Sequence, residues 1–352
     1  MKIYHHIDNF QKLKNAVVTI GTFDGVHIGH QKIISRLQEV ARQTGGETVI
    51  LTFFPHPRMI LHPEDVNIKL ITTMKEKAEL LEKLGIDHLI ITPFTRDFSN
   101  LSPEEYIKNI LVDKIGTSQI VMGYDHRFGK DREGGLEYLQ KLGPIYEYQV
   151  EEIPEQDIHD MAVSSTKIRS SLLSGDVGMA SDFLGHPFHL TGKVIKGDQI
   201  GRQLGYPTAN LFIEETYKLI PSDGIYAVTV EVESLEFKVE SSRSRETNLL
   251  EEDSRSQTAD LLSQAKPVKS QISNLKSYKG MAYIGHRPTI NGMSRNIEVN
   301  IFDFDADIYK QTIRLYFHHF LRGDQKFDSL DELTRQIAKD EINARHILKK
   351  IL

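Results

Sequence analysis

The interpretation of the first half of the chain rests on residues 21–30, which read Gly21-Thr22-Phe23-Asp24-Gly25-Val26-His27-Ile28-Gly29-His30. A strand-like apolar run, residues 16–20, precedes this stretch, and a segment with helical spacing follows it. The glycines allow a sharp turn, and His27 and His30 are expected on one face of the first helical turn. Free N–H groups there favour an anion, and two imidazoles could stabilise charge on a transferred phosphoryl or adenylyl group. The stretch predicts a phosphate site, although solvated histidines at a helix start remain an alternative.

The composition indicates a soluble globular protein with room for two domains. The chain has 352 residues, of which 39% are hydrophobic and 26% charged, and its formal net charge is -6. That charge argues against a dedicated nucleic-acid binder, and the lack of cysteine excludes disulfides and thiolate metal sites. Residues 1–10 lack the apolar core of a signal peptide, and no run is long enough to span a bilayer. We therefore expect a cytoplasmic protein without nucleic-acid or membrane partners.

Strand-like and helix-like patterns alternate in the first half. After residue 31 apolar residues recur at helical spacing, which predicts a first helix, and a second helix is predicted over residues 73–84. A third starts at Ser102, an N-cap followed by Pro103 and by Glu105 of a capping box. The predicted strands are residues 16–20, 48–54, 88–92 and 119–123. This alternation predicts a mostly parallel sheet covered on both faces, with ligands beyond the carboxyl ends of its strands.

The pattern changes at about residue 186. Short strand candidates follow one another with almost no helix between them, which predicts an antiparallel barrel or sandwich. They are residues 191–195, 224–232, 281–284, 297–304 and 312–317, and a final helix is predicted over residues 330–352. We place the boundary within residues 175–189, so that residues 1–185 and 186–352 form two domains.

Residues 241–277 have a different composition from the rest of the second half. Serine, arginine and acidic residues dominate, and this composition does not provide enough apolar surface to order a segment. We therefore predict a flexible insertion within the second domain. Two leucine pairs leave open a docking helix and a partner for the insertion, but a mobile hairpin extension is the simpler interpretation.

Three further polar stretches resemble parts of one site. They are Phe53-Phe54-Pro55-His56-Pro57-Arg58, Gly123-Tyr124-Asp125-His126-Arg127-Phe128-Gly129 and Val163-Ser164-Ser165-Thr166-Lys167-Ile168-Arg169. Each alone is typical of a turn or an N-cap. Together they place imidazole, hydroxyl and cationic groups at strand ends and at a helix start, which suits a triphosphate.

These motifs resemble the prokaryotic bifunctional riboflavin kinase and FMN adenylyltransferase family, the FAD synthetases, along nearly the whole chain. Residues 21–30 carry the His-x-Gly-His signature of the nucleotidyltransferases, and residues 164–169 match a second signature of that superfamily. The resemblance implies a Rossmann-like nucleotidyltransferase domain, then an antiparallel β-barrel riboflavin kinase domain with a C-terminal helix. It also implies that riboflavin, FMN, FAD and ATP are the small-molecule partners.

The family assigns adenylyl transfer to the first domain. There the FMN phosphate attacks the α-phosphorus of Mg-ATP, and His27 and His30 act on the ATP phosphates. Such a step needs mainly alignment and charge stabilisation, so an obvious base is not required. The implied ATP-binding residues are Gly21, Phe23, His27, His30, Ser165, Thr166 and Arg169. The implied flavin-binding residues are Asp125 and Arg127.

The family assigns riboflavin phosphorylation to the second domain. Its signature lies in Gly201-Arg202-Gln203-Leu204-Gly205-Tyr206-Pro207-Thr208-Ala209-Asn210. The resemblance makes Glu298 the base that takes the riboflavin 5′-hydroxyl proton, and the strand alternation around it directs its side chain away from the apolar face. Thr208 and Asn210 would hold Mg²⁺, which accepts few protein oxygens. The implied ATP-binding residues are Gly197, Gly201, Gly205, Thr208 and Asn210, and the implied flavin-binding residues are Arg322 and Phe327.

Three positions depart from the family pattern near the kinase motif. His286, Asn300 and Asp324 stand where the family usually has threonine, histidine and glutamate. They leave open an alternative in which the first domain adenylylates FMN and a weakened kinase module binds flavin or regulates. A third hypothesis is a non-enzymatic flavin sensor whose insertion recruits a partner.

Overall fold

The computed structural model describes residues 1–65, 68–124, 126–154, 163–197, 200–233, 276–286 and 295–351. Within these ranges the chain forms a parallel sheet with helices, followed by a closed barrel with a C-terminal helix. The predicted fold class is therefore confirmed, and the second domain is a barrel rather than a sandwich. Residues 241–275 of the predicted insertion lie outside the described residues, and Lys276 and Ser277 belong to a barrel strand.

The first sheet has six strands in the order β1-β4-β3-β2-β5-β6, and all its pairings are parallel. Strands Ala16–Ile20 and His88–Thr92 are buried along their whole length, as expected for a sheet covered on both faces. The strands are β1 (Lys2–Tyr4), β2 (Ala16–Ile20), β3 (Glu47–Phe53), β4 (His88–Thr92), β5 (Thr117–Gly123) and β6 (Gln149–Ile153).

Helix α1 (Ile28–Thr44) connects β2 to β3 and starts at the histidine motif. His27 is its N-cap, and Gly45 ends it in the left-handed conformation that glycine adopts without a steric cost. Ile34, Leu37 and Val40 are buried along one side of the helix. The motif is thereby held at the carboxyl end of β2, where the sequence predicted it.

The other helices of the first domain follow the predicted alternation. They are α2 (Pro57–Leu61), α3 (Met74–Lys83), α4 (Arg96–Ser99), α5 (Pro103–Glu105), α6 (Leu136–Tyr146), α7 (Ser165–Leu173) and α8 (Val177–Leu184). Helix α5 continues as a π-helix, Tyr106–Ile115, and the predicted capping box of Ser102 and Glu105 is present.

The second domain is a closed antiparallel barrel in the order β10-β11-β8-β7-β12-β9. A short helix, α9 (Ile200–Gln203), precedes β8, and the C-terminal helix α10 (Leu330–Leu348) packs Ala344 and Leu348 against the outside of the barrel. The strands are β7 (His189–Ile195), β8 (Ala209–Phe212), β9 (Gly224–Val232), β10 (Lys276–Gly285), β11 (Asn296–Ile301) and β12 (Thr312–Arg322).

Candidate active sites

The loop between β2 and α1 has an unusual backbone. Phe23, Gly25 and Val26 all have positive φ angles, of 46°, 82° and 43°, so two residues with side chains occupy a region that costs free energy. Asp24 compensates this cost, since its buried carboxylate accepts hydrogen bonds from the Ile71 and Thr72 amides at 2.9 and 3.1 Å. The loop is therefore held in one conformation by contacts with another segment of the domain.

The two histidines of the motif lie against each other. Their rings are stacked, with centroids 3.6 Å apart and an interplanar angle of 18°. His27 lies just before the helix, where its Nδ1 accepts the His30 amide at 3.4 Å, so it caps α1 and is not part of the first turn. The Nδ1 of His30 is buried without a hydrogen-bond partner in the described part of the chain. Such an atom costs free energy unless a ligand supplies the missing partner.

Burial keeps both imidazoles neutral near pH 7. It lowers the pKa of His27 to about 4, although Asp24 partly opposes the shift, and it lowers the pKa of His30 well below its ordinary value. The pair therefore acts through N–H groups and not through a full positive charge.

The burial of these imidazoles predicts an acid-sensitive fold. The pKa of the neighbouring His56 is also lowered to about 4, mainly by burial, from an ordinary value of 6.5. Because His27 and His56 bind a proton near pH 6.5 in the unfolded chain and near pH 4 in the folded chain, stability should fall as the pH falls through that window. We expect a lower thermal unfolding midpoint at pH 5 than at pH 7. His56→Asn keeps an N-cap acceptor for the Arg58 amide and removes one titrating group. The unfolding midpoint of this variant should therefore decrease less between pH 7 and pH 5 than that of the wild type, and an equal decrease would contradict this account.

Helix α7 brings the second signature to the same loop. The Ser165 hydroxyl donates to the Asp24 carbonyl at 3.2 Å, and Arg169 Nη2 donates to the Asp24 carboxylate at 2.5 Å. Thr166 is exposed beside them. Residues more than 130 positions apart in the sequence are thus joined into one site, as the combination of motifs predicted. Phe23 is buried with its ring 4.9 Å from His30, and Gly21 leaves room for that ring.

Sequence reasoning assigned no role to Asp24 or Lys77. Asp24 connects the motif loop to Arg169, and the buried Lys77 donates from Nζ to the Thr22 carbonyl at 2.6 Å. Burial lowers the pKa of Lys77 to about 8, against the effect of Asp24. A signal for Asp24 was present in the sequence, because an aspartate between glycines in an apolar context needs buried partners. Lys77 lies in an ordinary amphipathic helix pattern, which gives no such signal.

The predicted flavin contacts of the first domain are described only in part. Asp125 lies outside the described residues. Arg127 follows β5 and is exposed, and its guanidinium lies close to Gly135. Phe128 pairs with Gly134 and closes the loop.

The predicted kinase residues meet on two paired barrel strands. Glu298 on β11 pairs with Asn210 on β8, and the Thr208 hydroxyl donates to Glu298 Oε2 at 3.0 Å. Asn296 Nδ2 donates to Glu298 Oε1 at 2.7 Å. Glu298 is partly exposed while its neighbours Ile297 and Val299 are buried, as the alternation predicted. A carboxylate oriented by two donors beside a hydroxyl and an amide is suited to act as a base next to a bound cation.

The glycines of the kinase motif allow close packing around these groups. A Cβ at Gly197 would lie 2.2 Å from the Asn210 side chain, and one at Gly201 would lie 2.3 Å from the Tyr206 carbonyl. Gly205 has a φ of 82°, which favours glycine. The described residues contain no cluster of three histidine or acidic groups that could hold a metal. The oxygens of Thr208 and Asn210 nevertheless fit Mg²⁺, which keeps waters and takes phosphate oxygens.

The three departures from the family pattern are accommodated without disturbing Glu298. Asn300 is buried and donates to the Pro207 carbonyl at 2.7 Å, so it supports the segment that carries Thr208. His286 contacts Asp223 at 2.7 Å, and Asp324 accepts from the Tyr283 hydroxyl at 3.4 Å. Arg287, Pro288 and Thr289, which follow His286, lie outside the described residues.

Arg322 and Phe327 lie together near the end of β12. The guanidinium of Arg322 is 5.7 Å from the Phe327 ring centroid, and three hydrogen bonds join it to the buried Asp340 of α10. The structure thus brings the two predicted flavin residues together and fixes Arg322 on the C-terminal helix.

Comparison with known proteins matches both halves of the chain. The FAD synthetase family model matches residues 9–167, and the riboflavin kinase family model matches residues 184–348. The bifunctional riboflavin kinase/FMN adenylyltransferase of Listeria monocytogenes is 34% identical over 338 residues, which cover 96% of this chain and 94% of that protein. The chain belongs to the bifunctional riboflavin kinase/FMN adenylyltransferase family. It therefore carries the adenylyltransferase and kinase domains of a flavin-cofactor enzyme.

Other members of the family align over a similar length. The bifunctional riboflavin kinase/FMN adenylyltransferase of Escherichia coli K12 is 31% identical and covers 98% of this chain. A crystal structure described as a macrolide-efflux protein from Streptococcus pneumoniae superposes with a TM-score of 0.77 at 28% identity, covering 98% of both chains. Among the residues described for this chain, none of the helices reaches the length and apolarity of a membrane span.

Proposed function

We propose that the barrel phosphorylates riboflavin with ATP around Glu298 and that the sheet domain adenylylates FMN around His27 and His30. The observation that carries this assignment is that both nucleotidyltransferase signatures meet at Asp24, which lies in the loop just before His27 and binds Arg169. The cytoplasmic location and the lack of nucleic-acid or membrane partners remain predictions from the sequence.

Adenylyl transfer requires that the triphosphate be held and that charge on the α-phosphate be stabilised. His27 and His30 supply imidazole N–H groups, while Ser165 and Thr166 begin α7 and Arg169 lies one turn further along it. A phosphate oxygen of FMN attacks the α-phosphorus of ATP, and the bond to pyrophosphate breaks. The FMN phosphate is already an anion at pH 7, so no protein base is needed. Asp125 and Arg127 are proposed to hold the flavin side.

Riboflavin phosphorylation requires deprotonation of a hydroxyl as it attacks the γ-phosphorus of ATP. Glu298 takes that proton, and Thr208 and Asn296 orient its carboxylate. Mg²⁺, bound through the oxygens of Thr208 and Asn210, would reduce the charge repulsion between the nucleotide and the incoming oxygen. We place the phosphates near Gly197, Gly201 and Gly205, and the flavin near Arg322 and Phe327.

Product analysis tests this proposal against the alternative of a weakened kinase module. The protein is incubated with riboflavin, ATP and Mg²⁺, and in parallel with FMN, ATP and Mg²⁺, and the flavins are separated by chromatography. FMN and FAD formation from riboflavin supports the proposal. FAD from FMN without FMN from riboflavin would leave only adenylyl transfer, and flavin binding without either product would contradict both activities.

A further inference from the structure

The segment that precedes α3 is paired with the barrel. Leu70 and Lys218 form a parallel bridge between the domains, in which the Leu70 amide donates to the Tyr217 carbonyl at 2.7 Å and the Leu219 amide donates to the Leu70 carbonyl at 2.8 Å. The side chain of Ile71 packs into the same buried cluster as the barrel residues. This stretch of the adenylyltransferase domain is thus built into the interface with the kinase domain.

A buried ion pair reinforces this contact. The Lys218 Nζ donates to the Ile71 carbonyl and to Glu76 Oε2, both at 2.6 Å, and lies 4.7 Å from the centroid of the Phe188 ring. Glu76 is 2% exposed and Lys218 is 3% exposed. Burial opposes ionisation of Glu76, but Lys218 together with His189 and the Thr73 amide holds the pKa of this carboxyl below its ordinary value. The barrel therefore supplies a cation to the first turn of α3.

The nearest other basic group does not replace Lys218. His189 Nε2 lies 3.7 Å from Glu76 Oε1, and neither atom has a hydrogen-bond partner in the described ranges. Burial, together with Lys218, lowers the pKa of His189 to about 3 against the effect of Glu76, so its imidazole is neutral. Lys218 is consequently the cation that balances Glu76.

The same segment holds the adenylyltransferase motif on its other side. Glu76 closes a capping box with Thr73, which fixes the start of α3. Directly before it, the Ile71 and Thr72 amides bind the Asp24 carboxylate, and the Thr72 hydroxyl accepts the Gly25 amide at 3.1 Å. Asp24 in turn binds Arg169. A continuous series of short contacts runs from the Lys218 ammonium to the Arg169 guanidinium.

We propose that Lys218, a residue of the kinase domain, is a positioning residue for adenylyl transfer. Through Ile71 and Glu76 it fixes the amides that hold Asp24, and Asp24 fixes Arg169 beside the paired histidines. The inference rests on the proposed placement of adenylyl transfer at His27 and His30. It means that the adenylyltransferase site is completed by the other domain of the chain.

The inference predicts an effect on one activity only. In Lys218→Met the Ile71 carbonyl and the Glu76 carboxylate lose their buried donor, so the segment before α3 should shift and release Asp24. Since Arg169 is proposed to bind the ATP phosphates, we expect the KM for ATP in FMN adenylylation to rise at least about tenfold. The KM for ATP in riboflavin phosphorylation by the same protein should stay within about twofold.

Arg314→Met is the matched control. Arg314 is also a barrel cation bound to α3, through Glu79, whereas the amides that hold Asp24 belong to Ile71 and Thr72, before the helix begins. This variant should leave both KM values within about twofold of the wild type. A similar rise in both variants would mean that any loosening of the interface has this effect, and the specific role of Lys218 would be wrong.

A second variant separates positioning from folding. Lys218→Met leaves the charge of Glu76 without a cation and is itself expected to destabilise the fold. The double variant Lys218→Met with Glu76→Gln removes that buried charge and keeps an acceptor for the Thr73 amide. The raised KM for ATP should persist in the double variant, because the Ile71 carbonyl still lacks its donor. Recovery of the wild-type KM would show that Lys218 only neutralises Glu76 and would overturn the inference.

The result is distinguishable from a failure of the proposed function. If His30→Ala adenylylates FMN at the wild-type rate, the placement of the reaction is wrong whatever Lys218 does. If His30→Ala is inactive while folded Lys218→Met keeps the wild-type KM for ATP, only the positioning role is wrong.

Discussion

His30→Ala should reduce the rate of FMN adenylylation by about 10²–10³-fold, the usual cost of removing one preorganised donor at a developing charge. The ring is partly buried, stacked on His27 and in contact with Phe23, and its buried Nδ1 has no partner in the described part of the chain. With riboflavin as substrate the variant should still form FMN, because Glu298 and Thr208 lie in the other domain. FMN should accumulate without FAD, which chromatography of the products measures directly.

Loss of the ring also leaves a cavity, so a control for stability is needed. His88→Gln removes another buried histidine of the same domain, at the amino end of β4, where it contacts Tyr4 and Glu47 instead of the motif. This variant should lower the thermal unfolding midpoint but keep adenylylation within about twofold. Wild-type FAD formation by His30→Ala, or an equal loss of adenylylation in the folded His88→Gln variant, would contradict the role given to His30.

The sequence predicted the fold well where elements are buried and regular. Strand His88–Thr92 and strand Gly224–Val232 have the predicted bounds, because apolar runs between glycines or turns determine them. Strands β1, β6 and β8 and helix α6 are among the elements that were missed. Strands β1 and β6 lie at sheet edges, where one side is exposed and Lys2 or Glu151 interrupts the apolar pattern.

The C-terminal helix shows the limit of a spacing argument. Helical spacing of apolar residues includes Ile337 and Ile347, which pack against the barrel, but also Ile342, which is 68% exposed, whereas Asp340 is buried and bound to Arg322. The burial of Asp340 depends on a tertiary contact with β12. No local pattern within residues 330–352 contains that information.

The candidate sites likewise contain features that could be predicted from the sequence and features that could not. The residue types of the motifs and their meeting at strand ends could be predicted from the sequence, and His27, Ser165 and Arg169 do meet. The supporting contacts of Asp24 with Ile71 and Thr72 could not be predicted, because they involve backbone amides, which every residue type except proline provides. The Glu76 and Lys218 pair is equally hidden, because it joins two domains 142 positions apart.

Glu298→Gln should lower riboflavin phosphorylation by about 10²–10⁴-fold, the typical contribution of a general base. Glutamine keeps the size of the side chain and an acceptor for Thr208 or Asn296, but it cannot take the 5′-hydroxyl proton at neutral pH. The β8 and β11 pairing should persist, because the backbone bonds between Asn210 and position 298 are unchanged. FAD formation from supplied FMN should stay within about twofold of the wild type.

The matched control for Glu298 is Glu231→Gln on β9. Glu231 is also a barrel carboxylate that accepts a hydroxyl hydrogen bond, from Tyr316 at 2.8 Å, but it lies on β9, which pairs with β10 and β12 and not with β8 or β11. The Glu231→Gln variant should phosphorylate riboflavin at a rate within about twofold of the wild type. A folded Glu298→Gln protein that phosphorylates riboflavin normally would remove Glu298 as the base. Loss of both activities in Glu298→Gln, with an unchanged unfolding midpoint, would instead show that the two reactions share groups. Glu298 lies in the barrel and the histidines lie in the sheet domain, so its substitution should not affect FMN adenylylation.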